Sequence, residues 1–266
     1  MPVNANRRKK LAELLPEGVI TVPAWLIRNG FARHAIDNLL RSGSLNALHH
    51  GVYMRGFAPP QWQAIVYSLQ RILNTDLVVG GLTALELQGF AHYLPISGKK
   101  CIHLYGKKMP AWVNCLLPNV TFTWHREQDL TGRKNTRKLR PIPPLGLRSF
   151  ATEKEWREGF AGLILSTPER AYLEVLTDVP EKISFEHADQ LMQGMTSLSP
   201  RSLQSLLELS GNVKVKRLFF WFAERHNYAW LQKLDKPHID FGKGNRMLVK
   251  GGKLDKKYQI SVPESL

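Results

Sequence analysis

Only two cysteines, Cys101 and Cys115, occur in the 266 residues, and neither sits in a CxxC or zinc-ligand spacing. A disulfide framework and a structural zinc knuckle are thus excluded as organising devices, and two reduced thiols of a cytoplasmic protein are expected. Long apolar runs are missing too. The densest, Leu218 to Ala223, is six residues, against the roughly 20 that a membrane-spanning helix needs. The basic start MPVNANRRKK is not followed by the apolar stretch of an export signal. Catalytic signatures are absent: there is no GxSxG and no HExxH, and Gly242-Lys243-Gly244 lacks the rest of a phosphate loop. His187 and Asp189, two apart in a helical pattern, point to different faces; His238 and Asp240 share one side of an expected strand but have no third ligand. No enzyme, metal site, cofactor or membrane contact is expected.

Acidic residues are scarce as well. Against 37 Lys+Arg stand 22 Asp+Glu, for a net charge of +15, and the pI is near 9.9. The excess is uneven: +5 over residues 1–58, +8 over 59–150, −5 over 151–210 and +7 over 211–266. Three basic segments interrupted by one acidic segment point to a polyanionic partner. Apolar residues make up 43% and aromatics 9%, enough to build a folded, soluble body of one large or two ordinary domains.

The amino-terminal sixty residues read as a winged helix-turn-helix. RRKKLAELL (7–15) places Leu11, Leu14 and Leu15 at helical spacing behind a basic turn, and Pro16-Glu17-Gly18 closes it. Thr21 and Pro23 start a second helix through Trp25, Leu26 and Ile27, which Asn29-Gly30 ends. A third, from about Phe31 to Ser42, has Ala32, Ala35, Ile36, Leu39 and Leu40 on one face and Gly43 as its stop. Its free face carries Arg33, His34, Asp37, Asn38 and Arg41, donors and acceptors suited to phosphates and base edges; the same pattern also describes a solvated face with an Arg33–Asp37 pair. Two β-prone runs, Leu45 to Leu48 and Val52 to Arg55, then flank His49-His50-Gly51 as a wing. In that arrangement Arg33, His34, Asn38 and Arg41 face the major groove. His49, His50 and Arg55 touch the flanking backbone, and Arg7, Arg8, Lys9 and Lys10 form a sequence-independent arm.

Gly56-Phe57-Ala58-Pro59-Pro60 is the expected linker, giving a DNA-binding domain over 1–58 and a mixed α/β domain over 59–266, with 59–95 a possible bridge. The overall class is α+β. Helices are expected at Trp62 to Leu73, Leu82 to Gln88, 151–209 and 213–234, strands at 101–105 and 120–125, and β-like structure from Pro237 to Pro263. The stretch 131–140 holds five bases and no acid, either a solvated loop or a nucleic-acid or partner contact.

Four blocks carry a family resemblance: VVGGLTALELQGFAHYLP (78–95), STPERAYLEVL (166–176), VKVKRLFFWFAERHNYAWL (213–231) and HIDFGKGNRMLVKGGKLDKKYQISVP (238–263). Together, behind a helix-turn-helix, they resemble the AbiEi antitoxin family. The resemblance implies a type IV toxin–antitoxin system in which the amino-terminal domain represses its own operon by binding double-stranded operator DNA. It also implies that the larger domain counteracts a nucleotidyltransferase-like toxin without an obligatory stable complex. By the same carry-over, Lys214, Lys216, Arg217, Lys243, Arg246, Lys250 and Lys253 are candidates for antitoxic action, beside the plainer reading, which carries more weight, that these motifs specify the fold. Contact neutralisation of the toxin and a DNA-targeted nucleotide-modifying enzyme are the alternatives.

Overall fold

The chain opens with α1 (Pro2–Leu14) and closes with a short hairpin, and between them lie two apolar clusters that meet at one helix. The computed structural model describes residues 2–90, 98–132 and 146–266; most of the basic stretch 131–140 lies outside these. After α1 come β1 (Ile20–Thr21), α2 (Pro23–Arg28), α3 (Arg33–Arg41), β2 (Asn46–His49) and β3 (Val52–Met54). Pro23 occupies the first turn of α2, where no N–H is needed. The strands pair antiparallel in the order β1-β3-β2. Leu11, Leu15, Leu26, Phe31, Ile36, Leu39 and Leu45 form the core beneath the three helices.

α4 (Trp62–Tyr67) continues as a π-helical turn over Ser68–Ile72. This segment touches both cores. Ile72 packs under the helices of the amino-terminal unit and Tyr67 against both cores, whereas Ile65, Val66 and Leu69 belong to the larger core, which also takes in Ile20 of β1 and Val52 and Met54 of the wing. Buried Ser68 accepts the Ile20 N–H at 2.8 Å and donates to the Ala64 carbonyl at 2.6 Å. The amino-terminal sheet is therefore fastened to the body rather than tethered by a free linker.

The body is built on a five-stranded mixed sheet of order β6-β5-β4-β8-β7. Its members are β4 (Val78–Val79), β5 (Lys100–Tyr105), β6 (Val120–His125), β7 (Ala151–Lys154) and β8 (Leu163–Ser166), with α5 (Gly81–Leu87) after β4 and α6 (Glu127–Thr131) after β6. β5/β6 and β4/β8 are parallel pairs, and β4/β5 and β7/β8 antiparallel. Asn114 accepts the Phe122 N–H at 2.7 Å and donates to the Phe122 carbonyl at 3.0 Å, on the outer side of β6. The helices α7 (Pro168–Thr177), α8 (Phe185–Gln193), α9 (Pro200–Leu209) and α10 (Val213–His226) follow, and β9 (Lys253–Asp255) pairs with β10 (Ile260–Val262).

α7 is enclosed on all sides and carries a buried ion pair. Arg170 Nε donates to Glu174 Oε1 at 2.7 Å, with the two side chains 0% and 1% exposed. The Gly81 N–H (2.9 Å) and the Ser166 hydroxyl (3.1 Å) also donate to the Glu174 carboxylate, and Arg170 Nη1 reaches the Leu147 carbonyl at 2.8 Å. Burial still raises the Glu174 pKa, against the pull of Arg170 and these donors. The approach is so close that a Cβ on Gly80 would collide with the Glu174 carboxylate and the Tyr105 ring.

Three expectations are corrected. Residues 151–166 form the antiparallel pair β7/β8 rather than helix: LILS (163–166) is a short apolar run that enters the sheet, where periodicity alone does not separate strand from helix. The helix expected to 234 stops at His226, because Asn227 turns left-handed at φ 48°. The carboxy-terminal β-like region reduces to β9 and β10, and His238 ends a 3-10 turn over Lys236–His238 instead of sharing a strand face with Asp240.

Replacing one member of a buried ion pair strands the other charge. Glu174→Ala is expected to lower unfolding free energy by about 3–5 kcal/mol, read by urea denaturation at pH 7. A loss below about 1 kcal/mol would show that Arg170 is satisfied without it.

Candidate nucleic-acid interface

The residues of α3 divide by periodicity into two faces. Ala35, Ile36 and Leu39 enter the core, and Arg33, His34, Asp37, Asn38 and Arg41 are all exposed. No side chain caps the amino-terminal N–H groups of α3, because its N-cap is Ala32. These donors and the positive end of the helix dipole are left for an external anion. α1 runs beside this helix: Arg7, Arg8, Asn38 and Ser42 line one small cleft between the two. Sequence reading passes over Ser42, because a polar residue next to a helix-ending glycine looks like an ordinary terminator.

The basic segment 7–10 lies on α1, as the helical spacing of 7–15 implies. Arg8, Lys9 and Lys10 are exposed and Arg7 is half-buried, and the Lys10 ammonium lies 5.3 Å from the centre of the Phe31 ring. At the wing, His49 and His50 are exposed beside Gly51, whose φ of 68° makes the turn. Arg55 departs from its expected place. It is half-buried, and its Nε donates to the Leu15 carbonyl at 2.7 Å, tying β3 to the carboxy-terminal end of α1.

The residues suggested for antitoxic action separate into two groups. Lys214, Lys216 and Arg217 do not form an exposed basic block. The Lys214 ammonium is held by the Thr177 and Val179 carbonyls, both at 2.8 Å, at the end of α7. Lys216 is 3% exposed and Arg217 1%; burial lowers the pKa of each. Arg217 donates to the carbonyls of Phe241 (2.8 Å), Gly244 (2.7 Å) and Gln259 (3.1 Å), so it organises the carboxy-terminal segment from within. The physical reason is helical phase: α10 packs on the body over most of its circumference, and only its last turn has an open side.

Lys243, Arg246, Lys250 and Lys253, in contrast, are exposed. Met247 stands among them at 79% exposure and Leu254 at 43%. On α10, Glu224 receives Lys236 and Lys257, the latter at 2.6 Å. Burial alone would raise the Glu224 pKa, but hydrogen bonds from Lys236 and Lys257 hold it at about 2. Among the described residues no helix is long and apolar enough to cross a membrane.

Two family models cover the chain. One, described as "Transcriptional regulator, AbiEi antitoxin N-terminal domain", matches residues 4–96. The other, described as "Transcriptional regulator, AbiEi antitoxin, Type IV TA system", matches residues 99–263. Among solved structures, the chain is similar to the RV2827C protein from Mycobacterium tuberculosis, with 17% identity and a TM-score of 0.51. The likeness covers 98% of this chain and 91% of that one, and it shows a shared fold. No curated protein matches the sequence.

The two groups of basic residues make opposite demands on stability. Arg217→Met is expected to cost about 3 kcal/mol or more in denaturant unfolding, since a buried side chain is replaced and three carbonyls lose their donor, whereas Lys243→Ala and Lys250→Ala stay within about 0.5 kcal/mol of the parent. The Glu224 carboxylate has a lower pKa folded than unfolded, so its contribution is complete above pH 4.5 and disappears as pH falls towards 2. Glu224→Gln should lower the melting temperature at pH 7 and flatten its decline between pH 4.5 and 2.

Proposed function

Because the chain belongs to the AbiEi antitoxin family of transcriptional regulators in type IV toxin–antitoxin systems, we propose that it represses its own operon and counteracts a nucleotidyltransferase-like toxin encoded beside it. The DNA-binding unit is residues 1–58. α3 enters the major groove, with Arg33, His34, Asn38 and Arg41 directed at base edges and phosphates, and occupation of the promoter represses it. Arg7, Arg8, Lys9 and Lys10 on α1 and His49 and His50 on the wing add backbone contacts. The single observation that carries this reading is the polar, outward face of α3 behind an uncapped, dipole-positive helix start. Arg55 is assigned a supporting role, as the brace between β3 and α1.

Residues 59–266 form the antitoxic unit, and the exposed cations Lys243, Arg246, Lys250 and Lys253 are its working surface. Arg217 shapes that surface from below through the carbonyls it holds, while Lys214 fastens the end of α7 and Lys216 is buried. Antagonism of the toxin proceeds without an obligatory stable complex. One observation favours direct contact as the second reading: Met247 is an apolar side chain standing free among cations, as expected where a protein partner has an acidic rim around an apolar spot. Co-purification of chain and toxin separates the two, since a stoichiometric complex that survives gel filtration selects the contact mechanism.

Operator binding is tested by gel-shift titration with the DNA upstream of the chain's own gene. Arg41→Ala is expected to weaken binding by about 1–3 kcal/mol and to relax preference for the operator over unrelated DNA. Replacing Arg8 and Lys9 by serine should weaken operator and unrelated DNA alike and reduce the salt dependence by about one released ion for each phosphate no longer neutralised. Operator affinity equal to the parent in both variants would rule out this docking.

A further inference from the structure

The parallel pairing of β5 and β6 sets His103 opposite Thr123 and Tyr105 opposite His125, so all four side chains rise on one face of the sheet. That face is turned toward α5, whose Thr83 hydroxyl accepts the His103 N–H at 3.0 Å. His103 Nδ1 lies 2.9 Å from His125 Nε2, close enough that the two imidazoles share one proton. The His125 ring is stacked on Tyr105, with centroids 4.5 Å apart and planes at 9°. At the end of α7, Asp178 gives one carboxylate oxygen to Lys182 at 2.9 Å and turns the other toward His125 Nδ1 at 3.7 Å, beyond hydrogen-bonding distance. One ligand atom from each of His103, His125 and Asp178 lies within 4.8 Å of the other two.

We propose that His103, His125 and Asp178 bind a divalent transition metal of borderline softness, of the Zn²⁺ or Co²⁺ type, which takes the place of the proton between the two imidazoles. Two imidazoles and one carboxylate suit such ions and not Ca²⁺ or Mg²⁺, which take oxygen sets. Metal–nitrogen bonds of about 2.0–2.1 Å in a tetrahedral site put neighbouring ligand atoms about 3.3 Å apart. The imidazole nitrogens need to open by only a few tenths of an ångström, with a tilt of the His103 ring, while the Asp178 carboxylate, which faces the other nitrogen of His125, has to swing in toward the ion from within 4.8 Å. His125 is buried and held by its stack, but His103 and Asp178 are half-buried, which leaves a route for the ion and a fourth position for water. Burial lowers both imidazole pKa values, that of His103 to about 4, so protons compete little with a metal at neutral pH. The bound ion would clip β5 and β6 to the end of α7.

The test is a titration of the full chain, stripped with a chelator, with Co²⁺ followed by visible absorption and with Zn²⁺ followed by calorimetry. The expected result is one equivalent bound with the absorption of a four- or five-coordinate site. His103→Gln and Asp178→Asn should each weaken binding by roughly tenfold or more. Zn²⁺ should raise the melting temperature of the parent but not of His103→Gln, whose half-exposed position preserves the fold by circular dichroism. Cys101→Ser, with its thiol 3.1 Å from the Thr123 hydroxyl further along the same face, should bind like the parent. The proposal is overturned if the parent binds no stoichiometric Co²⁺ or Zn²⁺, if His103→Gln binds both as tightly as the parent, or if only Cys101→Ser loses the site.

Discussion

Two guanidinium groups sealed away from water set the terms for everything in the body of the protein. Arg170 and Arg217 are among its bulkiest fully buried side chains, and each is tolerable inside because carboxylate or carbonyl oxygens are turned toward it. Arg170 fixes Glu174, which in turn holds the start of α5 and the end of β8. Arg217 gathers three carbonyls from a segment with little regular structure. The exposed cations of that segment are displayed on a frame whose own charge is hidden beneath them.

The amino-terminal unit depends on the body in the same way, through one small polar group. Ser68 sits in a π-helical turn, whose widened geometry accompanies a hydroxyl that bonds backward to Ala64 and outward to Ile20. Apolar residues of β1 and β3 share the body's core, and the Arg157 guanidinium reaches the Glu17 carbonyl at 3.1 Å. The amino-terminal sheet is thus joined to the body through packed atoms and hydrogen bonds rather than through the chain connection alone.

Much of this was legible in the residues. The three amino-terminal helices, the wing and the strands at 101–105 and 120–125 follow from apolar spacing and from glycines placed where the chain turns left-handed, as at Gly43 and Gly51. β4 was hidden because two valines before a glycine pair carry no alternation, and β7/β8 because LILS reads equally as a helix entry. Site residues were harder. The face of α3 could be assigned from its period, but the burial of Lys216 and Arg217 could not, since a basic residue in a motif looks exposed until its carbonyl partners, 24 to 42 residues away, are known. His103 and His125 escaped notice for the same reason: they are 22 residues apart, and only the register of a parallel pair brings them together.

Asn114 has an effect beyond its two hydrogen bonds. By occupying both backbone groups of Phe122 with a side-chain amide, it breaks the row of outward-pointing donors and acceptors at the middle of β6. That margin of the sheet cannot grow by zippering on another strand, whether from a second copy or from a visiting peptide. Any protein that docks at this margin must do so through side chains, a more selective grip than main-chain pairing, and one less prone to seed fibres.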